Sequence, residues 1–185
     1  DMSKLLAWLE SVLMARITSL EEYEVYAFAA MVWTDLNSGL RRGELSGLLD
    51  LSVEMNADGD TGLRVSRALA YRRDMKTRKT TLVSKMPKSG KSRVVTLDED
   101  SAKVIERYQA VRDAVLSERG VRSRKTLPLF CHSDGSPFTP REITALFGAL
   151  VADLGLDPAT HLHTLRHTHA SYLIANGADL RAVQE

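Results

Sequence analysis

Apolar residues recur at helical spacing along most of this chain. Between residues 3 and 16, Leu5, Leu6, Leu9, Val12 and Leu13 share one side, which predicts a first helix. Ser19 and Glu22 form a capping box that opens a second. It runs through Tyr23, Tyr26, Ala30 and Trp33 to the turn at 37–39, and its apolar residues wrap most of the circumference, so it is expected to be buried. A third helix starts at Leu40, with Leu45, Leu48 and Leu49 facing inward.

The pattern then changes. After the turn cluster "DGDTG" at 58–62, β-like runs cover 62–71, 79–85 and 92–97, joined by the basic, turn-rich stretches "RRDMKTR" and "MPKSGK". These runs predict a small antiparallel three-stranded sheet. Helical spacing returns at 99–118 through Val104, Ile105, Tyr108, Val111 and Val115. A basic loop and the turn "SDGSP" at 133–137 follow. Thr139, Pro140 and Glu142 then form a helix start: cap, proline at the first helical position, acid of the capping box. Ile143, Leu146, Phe147, Leu150 and Val151 supply its inner stripe, and Gly155 ends it. "HLHTLRHTHASYLIANG" reads as a helix stopping at Asn176–Gly177, and "ADLRAVQE" opens another. The expected architecture is one mainly α domain over 1–185 with a small antiparallel three-stranded β-sheet, an α+β fold.

Length and composition narrow the class. At 185 residues, 44% hydrophobic and 26% charged, the chain can bury the core of one medium domain. The single cysteine, Cys131, permits no intrachain disulfide and fits a reducing compartment. No run approaches the roughly 18 apolar residues of a membrane span. The opening residues lack a basic leader and include Glu10, so no signal peptide is expected. A start at Asp1 suggests a fragment or processed piece.

Charge adds more than composition does. From Arg64 to Arg93 there are eleven basic residues and one acid, Asp74, a local charge of +10. The whole chain sums to +1, so the remainder carries −9. Such segregation, interleaved with strand-forming residues, predicts contact with a polyanion. Arg64, Arg67, Arg72, Arg73, Lys76, Arg78, Lys79, Lys91 and Arg93 are the expected DNA-binding residues. A merely solvated charge run is the alternative.

Three short stretches carry candidate chemistry. In "NSGLRRGELSGLL" (37–49), Gly39 permits a tight turn, Arg41 falls at a helix start where backbone N–H groups favour anions, and Glu44 can brace its guanidinium. An exposed i,i+3 salt bridge would look the same. In "PKSGKSRVVTL" (87–97), Lys88 lies on a glycine turn between strands, where it could bind a phosphate or donate a proton, or simply be exposed. In "HTLRHTHAS" (163–171), His163, Arg166 and His167 share a helical face, and His161 and His169 point elsewhere. The i,i+4 histidines have zinc-ligand spacing. However, no glutamate lies between them, Arg166 would set a fixed cation beside the metal, and Cys131–His132 matches no zinc module. A histidine and an arginine on one face suit an oxyanion better.

Taken in order, "SGLRRGEL", "KSGKSRVVTL" and "HTLRHTHAS" resemble the catalytic domain of the tyrosine recombinases, the phage integrase family. The resemblance covers nearly the whole chain. It implies Arg41, Lys88, His163 and Arg166 as catalytic residues, with His167 supporting the second box and Glu44 bracing the first arginine. The implied chemistry has two guanidiniums gripping the scissile phosphate, Lys88 protonating the departing 5′-hydroxyl and His163 helping to take the nucleophile's proton. A tyrosine would attack phosphorus to give a 3′-phosphotyrosine. The resemblance also implies double-stranded DNA attachment sites as partner, a homotetramer on DNA, no metal or nucleotide cofactor, and a bacterial cytoplasmic setting for a phage or integrative element.

One feature of the family is not found. Its third box, a Gly-His followed by the nucleophilic tyrosine, is expected after "ADLRAVQE", and Tyr23, Tyr26, Tyr71, Tyr108 and Tyr172 all stand in other contexts. The family's amino-terminal core-binding domain is not seen either. The expectation is therefore a chain that grips DNA without cleaving it. A DNA-binding or regulatory module on the same fold, or a histidine-rich metal-binding helical protein, are the alternatives.

Overall fold

Among the described residues, helices form close to where the apolar spacing places them, although the third ends at Gly47, short of Leu48 and Leu49, and the helices expected to stop at Asn176–Gly177 and to open after it lie largely outside the described residues. In a computed structural model, which describes residues 2–56, 59–88, 90–122 and 125–166, α1 spans Met2–Met14, α2 Leu20–Ser38, α3 Arg42–Gly47, α4 Glu99–Glu118 and α5 Pro140–Asp153. A further helical segment covers 162–166. The predicted caps are present. The Ser19 hydroxyl accepts from Glu22 N–H and the Glu22 carboxylate from Ser19 N–H, both at 3.1 Å. Thr139 and Glu142 make the equivalent pair at α5, with Pro140 at its first turn.

Helix α2 is the buried axis, as its all-round apolar surface requires. Tyr23, Tyr26 and Ala27 to Val32 are all buried. Leu5, Leu9 and Leu13 of α1 pack on one side, with Trp8 edge-on to Phe28 at 6.5 Å. Ile105, Tyr108 and Leu116 of α4 join the core as well. Tyr23 donates to the Cys131 carbonyl at 2.9 Å, and Tyr108 accepts from Cys131 N–H at 3.1 Å, so the buried hydroxyls and backbone of this layer satisfy one another. His132, next in the chain, lies 2.7 Å from Glu24 and stacks on Phe138, which ties its ring to α2. On α5, Ile143, Phe147, Leu150 and Val151 face inward as expected, but Leu146 is 39% exposed. The apolar stripe is one residue narrower than spacing alone implied.

The antiparallel three-stranded sheet is there, with different members from those expected. Its order is β1 (Val53–Met55), β2 (Thr61–Val65) and β5 (Arg93–Thr96), β2 in the centre. β3 (Ala68–Arg73) and β4 (Thr80–Lys85) form a separate hairpin. The single strand expected over 62–71 therefore breaks at Ser66–Arg67. The cause is tertiary. Gly43 and Gly47 present bare backbone on one face of α3, and the chain at 67–69 lies against it. A Cβ on Gly43 would sit 2.7 Å from the Leu69 carbonyl oxygen, and one on Gly47 would sit 2.9 Å from that of Arg67. Arg67 Nε also donates to the Gly47 carbonyl at 2.7 Å. The hairpin thus leaves the sheet to dock on α3, and Arg141 of α5 covers its Tyr71 ring at 4.1 Å.

One buried ion pair locks the far side of the core. Arg112 is 1% exposed, and it donates to Asp50 at 2.7 Å, to Asp113 at 2.8 Å and to the Leu129 carbonyl at 3.1 Å. Arg112→Ala removes the counter-charge of Asp50, leaves it only the bond from Gln109 and empties the site, so it is expected to lower unfolding free energy by about 3 kcal/mol in urea denaturation. Lys103→Ala, which breaks the exposed i,i+4 pair with Glu99, should leave the midpoint unchanged.

Candidate active site

The site is built at the junction of α2 and α3. Gly39 ends α2 in the left-handed conformation (φ 58°), and its N–H bonds the Asp35 carbonyl at 2.9 Å. The chain turns sharply there, buries Leu40, and places Arg41 as the extended residue that caps α3. Arg41 thus sits at the mouth of a helix start, with its side chain about a third exposed.

Glu44 holds this region together. Its carboxylate is 1% exposed and accepts from Arg41 twice, from the backbone N–H at 3.0 Å and from Nη1 at 3.1 Å. Arg93, at the start of β5, forks onto the same carboxylate at 2.8 and 3.2 Å. Burial alone would raise the Glu44 carboxyl. The bonds from Arg93 and Arg41 outweigh burial and hold it below its ordinary value. The expected brace on Arg41 is present, and a second guanidinium shares it. Arg93, counted among the DNA-contacting residues from its place in the basic run, is engaged inside the protein.

Arg166 arrives from the 162–166 segment, which is seated by the buried Leu162 and Leu165. Its Nη1 donates to the Gly39 carbonyl, at the negative end of α2. Desolvation lowers its affinity for the proton and repulsion from Arg41 adds to this, while Glu44 opposes both. A cleft of about 910 Å³ opens between these residues and α5, lined by Asp35, Arg41, His161, His163 and Arg166 on its polar side and by Phe147 and Val151 opposite. Asp35 is deeply buried, and desolvation pushes its carboxyl up to about 8 against the pull of Arg166. At its edge, Arg42 bonds the Thr144 hydroxyl and fastens α3 to α5.

Three of the four expected catalytic residues therefore meet in one cleft: Arg41, His163 and Arg166. Lys88 does not line it; it lies exposed on the turn between β4 and β5. His167 lies outside the described residues. His161, set aside by helical spacing, borders the cleft after all. The helical segment starts only at 162, with Thr164 N–H bonded to the His161 carbonyl, so helical spacing does not govern residue 161. Asp35 and the bracing role of Arg93 were not anticipated. Asp35 stands in a helix whose apolar pattern predicts burial, and an acid in such a helix is itself a signal.

The remaining basic residues divide by engagement. Arg64 is forked onto Glu54 at 2.7 and 2.9 Å, and Arg67 is bound to Gly47. Arg72, Arg73, Lys76, Arg78 and Lys79 are exposed at the outer end of the β3–β4 hairpin, and Lys91 is exposed beyond it. Asp74 orders the tip by accepting from Lys76 and Thr77 N–H, both at 2.8 Å. Of the described tyrosines, Tyr23, Tyr26 and Tyr108 are core residues and Tyr71 lies under Arg141, so none of these lines the cleft.

The phage integrase family matches residues 13–185. The chain belongs to that family. It is 33% identical over 156 residues to a tyrosine recombinase XerC of Pelobacter propionicus, covering 84% of this chain and 41% of that protein. To the XerC of Methylobacterium nodulans it is 31% identical over 162 residues, covering 87% of this chain and 48% of that one. The chain thus spans less than half the length of these relatives. Among solved structures, the Tn1549 transposon integrase in complex with transposon right end DNA superposes with a TM-score of 0.70 at 20% identity, over 100% of this chain and 55% of that one. The XerH recombinase bound to its difH substrate gives 0.64 at 22%, over 98% and 44%. The fold is that of the integrase and recombinase catalytic domain.

Glu44→Gln keeps the shape of the brace and removes its charge, which leaves two partly buried guanidiniums without a counter-charge. A loss of about 2–3 kcal/mol in urea denaturation is expected. Because the folded carboxyl ionises below its ordinary 4.5, its contribution is complete above that value and lost as pH falls through the folded one. Glu44→Gln should therefore lose less stability than the unmodified chain on acidification below about pH 4.5.

Proposed function

We propose that this chain grips and activates a DNA phosphodiester for site-specific strand cleavage and rejoining, as part of an integrase of a phage or other mobile element. The observation that carries the reading is the convergence of Arg41, Arg166 and His163 on one cleft, from positions 125 residues apart along the chain, in a member of the phage integrase family.

Two guanidiniums of different origin can fork onto the non-bridging oxygens of one phosphate and stabilise the added negative charge of a pentacoordinate transition state. Arg41 is held for this by Glu44, and Arg166 by the end of α2. His163 takes the proton of the attacking hydroxyl. Lys88, on its exposed turn, serves as the acid for the departing 5′-oxygen once duplex DNA lies over the cleft. A tyrosine from outside the described residues attacks phosphorus, its oxygen forming the 3′-phosphotyrosine as the 5′-oxygen leaves; reversal with a new 5′-hydroxyl rejoins the strand. The exposed cations of the β3–β4 hairpin hold the duplex through its phosphates. Four such subunits assemble on two DNA sites.

Two experiments test this reading. In protein that includes the nucleophilic tyrosine, Arg41→Ala or Arg166→Ala should lower strand cleavage by at least about a hundredfold, the scale for removing one transition-state donor, while leaving most DNA affinity. Cleavage near the unmodified rate in either variant contradicts the clamp. Replacing Arg72, Arg73, Lys76 and Lys79 together should weaken duplex binding and flatten its dependence on salt. An unchanged slope of affinity against salt would show that the hairpin does not touch phosphate.

A further inference from the structure

Asp35 borders the cleft, yet the chemistry just proposed gives it no task. It sits in the last turn of α2 and is 1% exposed. Its Oδ1 meets no hydrogen-bond donor among the described residues. A carboxyl is doubly disfavoured there, dry and near the negative end of a helix. An apolar side chain would satisfy the packing without that cost. A local rule broken in this way beside a candidate site points to function.

The charge that acts on it is that of Arg166. That guanidinium is bonded to Gly39, four residues after Asp35, and it senses Arg41, Glu44, Arg93 and Asp35 together. Three guanidiniums and one firmly ionised carboxylate leave the cluster at +2, and an ionised Asp35 makes it +1. Among the described residues, the other charged or titratable groups on the cleft are Arg42 of α3 and, ahead of and within the 162–166 segment, His161 and His163; α5 lines it with Thr144 and small or apolar residues only. A phosphodiester arriving at Arg166 brings its own negative charge. Two anions beside one partly buried guanidinium repel, and the one that can shed its charge by taking a proton is Asp35.

Resting on the reading of the cleft as a phosphodiester clamp, we propose that Asp35 is a positioning residue for Arg166. Ionised, it is the counter-charge of that guanidinium in the empty cleft; protonated, it yields Arg166 to the DNA phosphate. Where Asp35 is ionised in the empty cleft, at alkaline pH, seating of DNA is thereby coupled to uptake of up to one proton, which moves from solvent onto the Asp35 carboxylate; at lower pH the carboxyl is already protonated. Burial puts this exchange at about pH 8, within reach of ordinary binding measurements.

The test titrates the whole chain with a short double-stranded oligonucleotide by calorimetry, in two buffers of different ionisation enthalpy. Comparing them counts the protons taken up. The unmodified chain should take up protons on binding above about pH 8, and its affinity should fall roughly tenfold between about pH 7 and pH 9. Asp35→Asn, neutral at every pH, should show a flat profile across that window and bind more tightly than the unmodified chain at the alkaline end. A purely structural role would move neither the proton count nor the profile. Identical profiles for the two proteins would overturn the role of Asp35 and leave the clamp standing. Failure of the unmodified chain to bind duplex DNA at any of these pH values would instead remove the clamp reading itself. Should Asp35→Asn not fold, the unmodified chain decides: absence of proton uptake above about pH 8 ends the proposal, and uptake that Asp35→Ser abolishes supports it.

Discussion

A single buried carboxylate makes the cleft possible. Guanidiniums brought together in a partly dry site repel one another, and a fold that gathers Arg41, Arg93 and Arg166 needs an anion to hold them. Glu44 supplies it from the first turn of α3, accepting four hydrogen bonds from two arginines with almost no exposure to water. The compensation is partial. Three cations face one acid held readily ionised, so the cluster keeps a positive surplus. Charge left over by design of the fold, rather than charge merely present, is what distinguishes this cleft from the exposed basic hairpin.

The same short helix ties the two positive regions together. One end of α3 carries Arg41 and Glu44, and its glycine face receives the base of the β3–β4 hairpin at Arg67–Leu69. Arg42 fastens α3 to α5, and Arg141 of α5 covers Tyr71 of the hairpin. A duplex held by the outer hairpin cations would therefore be held against the element that aims Arg41.

How far the sequence alone reached is explained by which constraints are local. Helix starts at Ser19 and Thr139 were readable because a capping box lies within four residues. Arg41 with Glu44, and His163 with Arg166, were readable because each pair is one helical turn apart. Strand partners were not. β1 has only three residues, and the break at Ser66–Arg67 follows from a close approach to Gly43 and Gly47 that no local pattern records. Arg93 was masked by its basic neighbours, and only its pairing with Glu44 separates it from them. His161 was misplaced because helical geometry was extended one residue too far.

The central claim is that Arg41 and Arg166 close on the same phosphodiester. A crystal structure of this chain with duplex DNA tests it most directly. The account predicts one backbone phosphate in the cleft, with both guanidiniums within hydrogen-bond distance of its non-bridging oxygens and Glu44 still bridging Arg41 and Arg93. DNA bound on another face, or a phosphate touching only one of the two arginines, would contradict it.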